Sequence, residues 1–183
     1  MTVKETKLKG CFILEPKVFL DSRGYFFESF NQKKFNKLIS QNINFIQDNE
    51  SYSSKGVLRG LHYQTGEYAQ AKLVRVIKGQ VLDIAVDIRR DSPTFCEYIS
   101  LELSEVNKKQ LFIPRGFAHG FIVLSDTAIF SYKCDNFYNK ESEGGIVFND
   151  PEINIDWHFS EQELIVSEKD WLLPTMKNAK KVW

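Results

Sequence analysis

Histidine, methionine, cysteine and proline are all scarce in this chain, with 3, 2, 3 and 5 copies among 183 residues. Each shortage excludes something. Cys11, Cys96 and Cys134 are odd in number, far apart and free of Cys-x-x-Cys spacing. That pattern argues against a disulfide framework or a thiolate metal cluster and fits a reducing cytoplasm. Excess charge is missing too, since 24 Lys and Arg balance 24 Asp and Glu. Without a net field to gather a polyanion, nucleic acid is not an expected partner, although two or three local cations suffice for a ligand carrying phosphates. The opening MTVKETKLKG is polar and has no apolar segment of signal-peptide type. No later run approaches bilayer-spanning length, so no membrane association is expected. Repeats, low-complexity stretches and linkers are absent, and residues 1–183 read as a single domain with room for a real core.

What is present is a 43% hydrophobic composition rich in Phe and Tyr, broken into short pieces. Asn31–Ser40 reads as an early helix: Asn31 caps it, and Phe35, Leu38 and Ile39 share a face at helical spacing. From about residue 56 the period becomes two. KLVRVIKG breaks at Lys78-Gly79-Gln80, and VLDIAVDI then alternates, with Leu82, Ile84, Val86 and Ile88 on one face. Its other face, Val81, Asp83, Ala85 and Asp87, is a mixed surface. CEYISLEL, QLFIP, GFIVL, IFSYKCDNFY and GGIVFND follow at near-regular intervals, punctuated by Gly, Pro and Asp. That spacing predicts an all-β antiparallel sandwich or barrel with a few peripheral helices. Near the C-terminus, Ser167 stands three residues before Asp170, as in a capping box.

Several residues are placed to do chemistry. In VLRGLHYQ, alternation puts Leu58, Gly60, His62 and Gln64 on one inward face, and a glycine inside a strand often marks a bulge or close backbone approach. His62 reads either as a hydrogen-bonded core histidine or as a catalyst. Lys72 shares parity with Val74 and Val76. A lysine turned into a barrel is costly unless an anion or a reaction awaits it, and the alternative is a strand-edge lysine reaching back to solvent. IPRGFAHGF adds His119 in a Pro-x-Gly-x-x-His arrangement similar to the second half of the cupin barrel signature. The first half of that signature supplies His-x-His and a Glu, whereas this chain reads His62-Tyr63-Gln64. Two histidines without further ligands make a poor metal site, so none is expected. Tyr132 shares parity with Phe130 and Cys134; it either points into the barrel interior or is a buried tyrosine with a satisfied hydroxyl. His158 has no evident partner and reads as structural or exposed.

ILEPKVFLDSRGYFFESFN, FIQDN, GVLRGLHYQ, AKLVRVIKGQVLDIAVDIRRDSPTF, NKKQLFIPRGFAHGF and SEKD, in this order, resemble the nucleotide-sugar 3,5-epimerases from about Ile13 to Pro174. The resemblance implies a double-stranded β-helix (cupin) subunit that forms a homodimer and needs no metal or organic cofactor. It implies a base at His62, its carboxylate partner at Asp170, a pocket lysine at Lys72 and a tyrosine acid at Tyr132. It further implies that Arg23, Phe26, Glu28, Gln47, Asn49, Arg59, His119 and Tyr138 hold the substrate. That substrate would be a nucleotide-diphospho-4-keto-6-deoxy sugar inverted at C3 and C5, dTDP-linked in the first reading and GDP-linked in the alternative. The chemistry is coherent. Both carbons flank one carbonyl, so removal of either proton yields an enolate on the same oxygen. One base, one oxyanion donor and one acid on the opposite ring face then suffice. Two other readings compete: a sugar-nucleotide-binding cupin without catalysis, and a metal-dependent cupin dioxygenase. Glu50, Tyr52 and Trp171 depart from the family's usual residues and bear on which sugar fits.

Overall fold

Short runs of alternating side chains can bury only one face each, so they pair into sheets that close on one another. The computed structural model describes residues 1–183 and contains fourteen strands. They are β1 (Thr2–Glu5), β2 (Phe12–Glu15), β3 (Phe19–Asp21), β4 (Gly24–Phe26), β5 (Gln47–Ser54), β6 (Val57–Gln64) and β7 (Lys72–Lys78). After these come β8 (Gln80–Asp87), β9 (Tyr98–Ser104), β10 (Gln110–Ile113), β11 (Phe117–Val123), β12 (Thr127–Cys134), β13 (Glu143–Gly145) and β14 (Ile165–Val166). One sheet runs β1-β2-β10-β7-β12-β5 and the facing sheet β13-β6-β11-β8-β9, the double-stranded β-helix that the family resemblance implies. Pairing is antiparallel except where β14 lies parallel to β6. β3 and β4 form a separate hairpin.

Three apolar clusters hold this arrangement. Val74, Val76, Val81, Ala85, Phe117, Phe121 and Phe130 meet between the sheets. Leu82, Ile84, Val86 and Ile88 face the other way, under a cover of Ile153, Trp157, Met176 and Val182 from the C-terminal segment. The face of β8 that reads as a mixed surface therefore lies inside, between the sheets, and both Asp83 and Asp87 are fully buried. Asp87 is satisfied by Arg89, Ser92 and Thr94 of the turn that follows it. The third cluster packs α1 (Gln32–Ile39) on the outside of the first sheet through Phe35 and Ile39, against Leu73 and Phe112. Asn31 caps α1 as expected, its Oδ1 accepting from the Lys34 N–H at 3.1 Å.

Strict alternation fails in β6. Arg59 pairs with Phe121 but His62 pairs with His119, so Gly60 and Leu61 stand opposite Gly120 alone and β6 absorbs one extra residue there. Gly60 has φ +133°, and a Cβ there would stand 2.5 Å from the Gly120 Cα. Only glycine permits that approach and that backbone. As a result Leu58, Leu61 and Tyr63 all join the outer cluster. The expectation that Leu58 faces inward with His62 is corrected: the bulge puts Arg59 on the inner side with His62 instead.

Candidate active site

Between the sheets the apolar filling stops short and leaves a cavity of about 740 Å³, which His62 and Arg59 from β6, Lys72 from β7, His119 from β11 and Tyr132 from β12 all line. Gln47 and Asn49 line it from β5, and Tyr138, Glu143 and Asp170 stand along its margin.

His62 Nε2 lies 2.8 Å from Asp170 Oδ1, and the second Asp170 oxygen accepts from the Gly60 N–H at 3.3 Å. The bulge thus feeds a backbone donor to the carboxylate that holds the histidine. Asp170 sits in α2 (Glu168–Trp171), where Ser167 Oγ accepts from the Asp170 N–H at 3.1 Å. Only half of a capping box is formed, because the Asp170 carboxylate turns away from Ser167 to His62. Burial alone would raise the Asp170 pKa, but the His62 contact and the Gly60 N–H outweigh it and hold the carboxyl below its ordinary value. With Nε2 engaged, His62 Nδ1 is left as the nitrogen free for chemistry.

Of the two placements open to Lys72, inward or at the strand edge, the structure has the inward one, with its ammonium 5.9 Å from the Tyr132 ring centre. Burial pushes its pKa below the ordinary lysine value, with Cys134, Asp83 and Glu143 opposing the fall. Burial also pushes the Tyr132 phenol upward, so it remains protonated through neutral pH. Arg59 gives one N–H to Ser53 Oγ at 3.1 Å and pairs with no carboxylate, leaving the rest of its guanidinium for a ligand. Gln47 accepts from the Tyr138 N–H at 3.0 Å, and the Tyr138 hydroxyl donates to Glu143 at 3.2 Å, which fixes that ring at the cavity mouth.

Three groups escape a reading of the sequence, Glu143 and Lys169 on the cavity wall and Asp83 buried behind it. Asp83 bonds His119 Nε2 at 2.9 Å. Glu143 is gripped by Lys169, whose Nζ lies 2.9 Å from both carboxylate oxygens. Burial would raise Glu143, but Lys169 holds it below its ordinary pKa. A charge inside an apolar strand was the available signal for Asp83; nothing local marks the other two. Conversely, Arg23, Phe26 and Glu28 are not brought to the cavity. Arg23 pairs with Asp21, Phe26 is 70% exposed and Glu28 pairs with Lys34. Of the unusual residues, Glu50 lines the cavity, Tyr52 is exposed, and Trp171 packs edge-on against Phe148 with ring centres 4.8 Å apart. His158 is exposed, as expected. No group of three or more His, Cys, Asp or Glu side chains is placed to share a metal ion.

Residues 5–178 match the family model described as dTDP-4-dehydrorhamnose 3,5-epimerase. The chain is 55% identical over 170 residues to dTDP-4-dehydrorhamnose 3,5-epimerase of Shigella flexneri, covering 93% of each chain. It superposes with TM-score 0.94 on the crystal structure of dTDP-4-dehydrorhamnose 3,5-epimerase from Elizabethkingia anophelis, at 56% identity, covering 100% of this chain and 99% of that one. The dTDP-6-deoxy-D-glucose-3,5-epimerase of Legionella pneumophila, solved in complex with dTDP-4-keto-L-rhamnose, superposes with TM-score 0.93 at 47% identity, covering 97% and 93%. With this fold, this cavity and these relatives, the chain belongs to the dTDP-4-dehydrorhamnose 3,5-epimerase family.

Proposed function

We propose that the chain inverts C3 and C5 of dTDP-4-dehydro-6-deoxyglucose to give dTDP-4-dehydrorhamnose, with His62 as base, Lys72 as enolate stabiliser and Tyr132 as acid. The single observation that carries this reading is the His62–Asp170 pair facing a cavity that also holds Lys72 and Tyr132. His62 Nδ1 takes the proton from the carbon beside the ketone, and the C–H electron pair moves into the enolate. Asp170 stabilises the resulting imidazolium and fixes the ring, the part a buried carboxylate plays in other dyads. The Lys72 ammonium donates to O4, where a preorganised donor is worth about 3–4 kcal/mol of barrier. Tyr132 then delivers its proton to the opposite face of the carbon, and the configuration inverts. The same three groups serve the second carbon, since both enolates share O4.

Arg59, His119, Gln47 and Asn49 hold the sugar and diphosphate, and Tyr138 offers a ring to the nucleotide base. Arg23, Phe26 and Glu28 belong to this binding set only in a homodimer, where the exposed β3–β4 hairpin of one subunit reaches its partner's cavity. Its outward Leu20 and Phe26, 80% and 70% exposed, support that reading, since an apolar hairpin tip gains by being covered. Three free cysteines suit a reducing cytoplasm, and no helix is long and apolar enough to cross a membrane.

The test is incubation with dTDP-4-dehydro-6-deoxyglucose in deuterated water, read by mass spectrometry. Gain of two deuterons is expected; a GDP-linked 4-keto sugar run in parallel tells the nucleotides apart, and no gain with either sinks the epimerase reading. Tyr132→Phe separates the steps: exchange should persist while net inversion slows. Equal loss of both would make Tyr132 a binding residue instead.

A further inference from the structure

Buried side-chain atoms without a hydrogen-bond partner are rare, because desolvation is then uncompensated. This molecule has two, Ser51 Oγ and Asp83 Oδ1. Asp83 is the more demanding case, as a carboxylate with no exposed surface in a strand enclosed on both faces. Its other oxygen, Oδ2, lies 2.9 Å from His119 Nε2. His119 in turn stands directly across from His62 in the β6–β11 register, and its ring stacks 6.0 Å from Phe130. His119 on the cavity wall and Asp83 behind it therefore make a second histidine–carboxylate pair, set deeper than the first, whose carboxylate the mechanism above leaves without a task.

We propose that Asp83 is a positioning residue for the reaction. Its carboxylate takes the Nε2–H of His119, so that His119 turns an accepting Nδ1 toward the sugar, and its negative charge keeps Lys72 an ammonium ready for O4.

Two lines support this. A neutral imidazole that donates from one nitrogen must accept with the other, and burial pushes the His119 pKa below its ordinary value, which keeps the ring neutral. His119 so held accepts from a sugar hydroxyl and leaves donation to O4 to Lys72. The second line is the inventory of groups around Lys72. Asp83 faces it from β8, Glu143 from β13, Cys134 and Tyr132 from β12, and the two histidines from β6 and β11. Burial raises the Cys134 thiol and the Tyr132 phenol, so both are uncharged at neutral pH. Glu143 is already claimed by Lys169 at 2.9 Å. Beside Asp83, the Cys11 thiol is pushed up to about 12, chiefly by burial, and brings no charge. Of the two carboxylates that act on Lys72, Asp83 is thus the one not held by another cation, and its free oxygen is the charge set against the burial of Lys72.

The lysine role rests on the proposed mechanism, whereas the histidine geometry does not, and the tests keep them apart. Asp83→Asn preserves shape and removes charge. Losing the anion lowers the Lys72 pKa further, so the alkaline limb of kcat/KM should move to lower pH by about one unit, with dTDP affinity and thermal midpoint retained. A loss of activity that is even across pH, with the limb unmoved, overturns the proposal as it concerns Lys72. In the unaltered protein, long-range proton–nitrogen NMR of the imidazoles should show His119 neutral with its proton on Nε2. A proton on Nδ1, or on both nitrogens at neutral pH, overturns the His119 assignment even if the Asn variant does not fold. Absence of deuterium exchange in the unaltered enzyme would instead remove the reaction and leave the tautomer result standing.

Discussion

Asp170 is the residue on which the base depends, and its two oxygens are both engaged, by His62 and by the Gly60 N–H. Asp170→Asn keeps the outline but offers an amide where the imidazolium needs a charge. We expect kcat to fall by about 10²–10⁴-fold while dTDP still binds, by analogy with other histidine–carboxylate dyads. Isothermal titration with dTDP beside steady-state kinetics checks this; a parallel loss of binding would make Asp170 a structural cap. At this scale the sequence was legible wherever a side chain's direction follows from strand parity. Lys72 and Tyr132 point inward with Val74 and Phe130, as two-residue periodicity requires. Asp83, Glu143 and Lys169 were not legible as site residues, because their partners lie 36 residues away for Asp83 and 26 for the Glu143–Lys169 pair. No local pattern encodes a tertiary contact of that kind.

Among the elements, β6 shows how one glycine redirects a whole face. A glycine in VLRGLHYQ signals a bulge, but not that the bulge will carry Arg59 and His62 to the same side. Gly60→Ala forces a Cβ to within 2.5 Å of the Gly120 Cα and 2.9 Å of the His119 carbonyl, at φ +133°. Left-handed strain plus this overlap should cost roughly 3 kcal/mol or more of stability. Urea unfolding should show it, together with a fall in kcat, since both histidines ride on the two strands that part. Unchanged stability would mean that the bulge relaxes at little cost. The element hidden from sequence reading was β5, QDNESYSS, and the reason is chemical. Its inner row is Gln47, Asn49, Ser51 and Ser53, polar because it walls a ligand cavity rather than a core. Hydrophobic periodicity cannot find a strand whose buried face is meant to stay wet. The short β1–β4 strands were missed for a simpler cause, as three or four residues are too few to establish a period.

For the molecule as a whole, the outstanding matter is the β3–β4 hairpin, which keeps Arg23 and Phe26 far from their own cavity lining. If the hairpin serves a partner's cavity, Arg23→Ala should raise KM by about tenfold, the value of one charged contact to a diphosphate, with kcat little changed. Sedimentation should report a dimer for both proteins. A monomer with full activity would remove Arg23, Phe26 and Glu28 from the substrate set. An antiparallel sandwich or barrel was plain from the spacing of strands and turns, and the family resemblance narrowed it to the double-stranded β-helix; the parallel β14 was not legible, since two residues carry no pattern.

The order in which the site is assembled along the chain has a consequence for synthesis. His62, Lys72, His119 and Tyr132 all reside in strands complete by Cys134, whereas Asp170 arrives on α2, after β14 has docked beside β6. A chain leaving the ribosome at about 5–20 residues per second therefore emerges with its base, lysine and tyrosine acid seconds before the carboxylate that arms the base, so the dyad is the last part of the site to be completed.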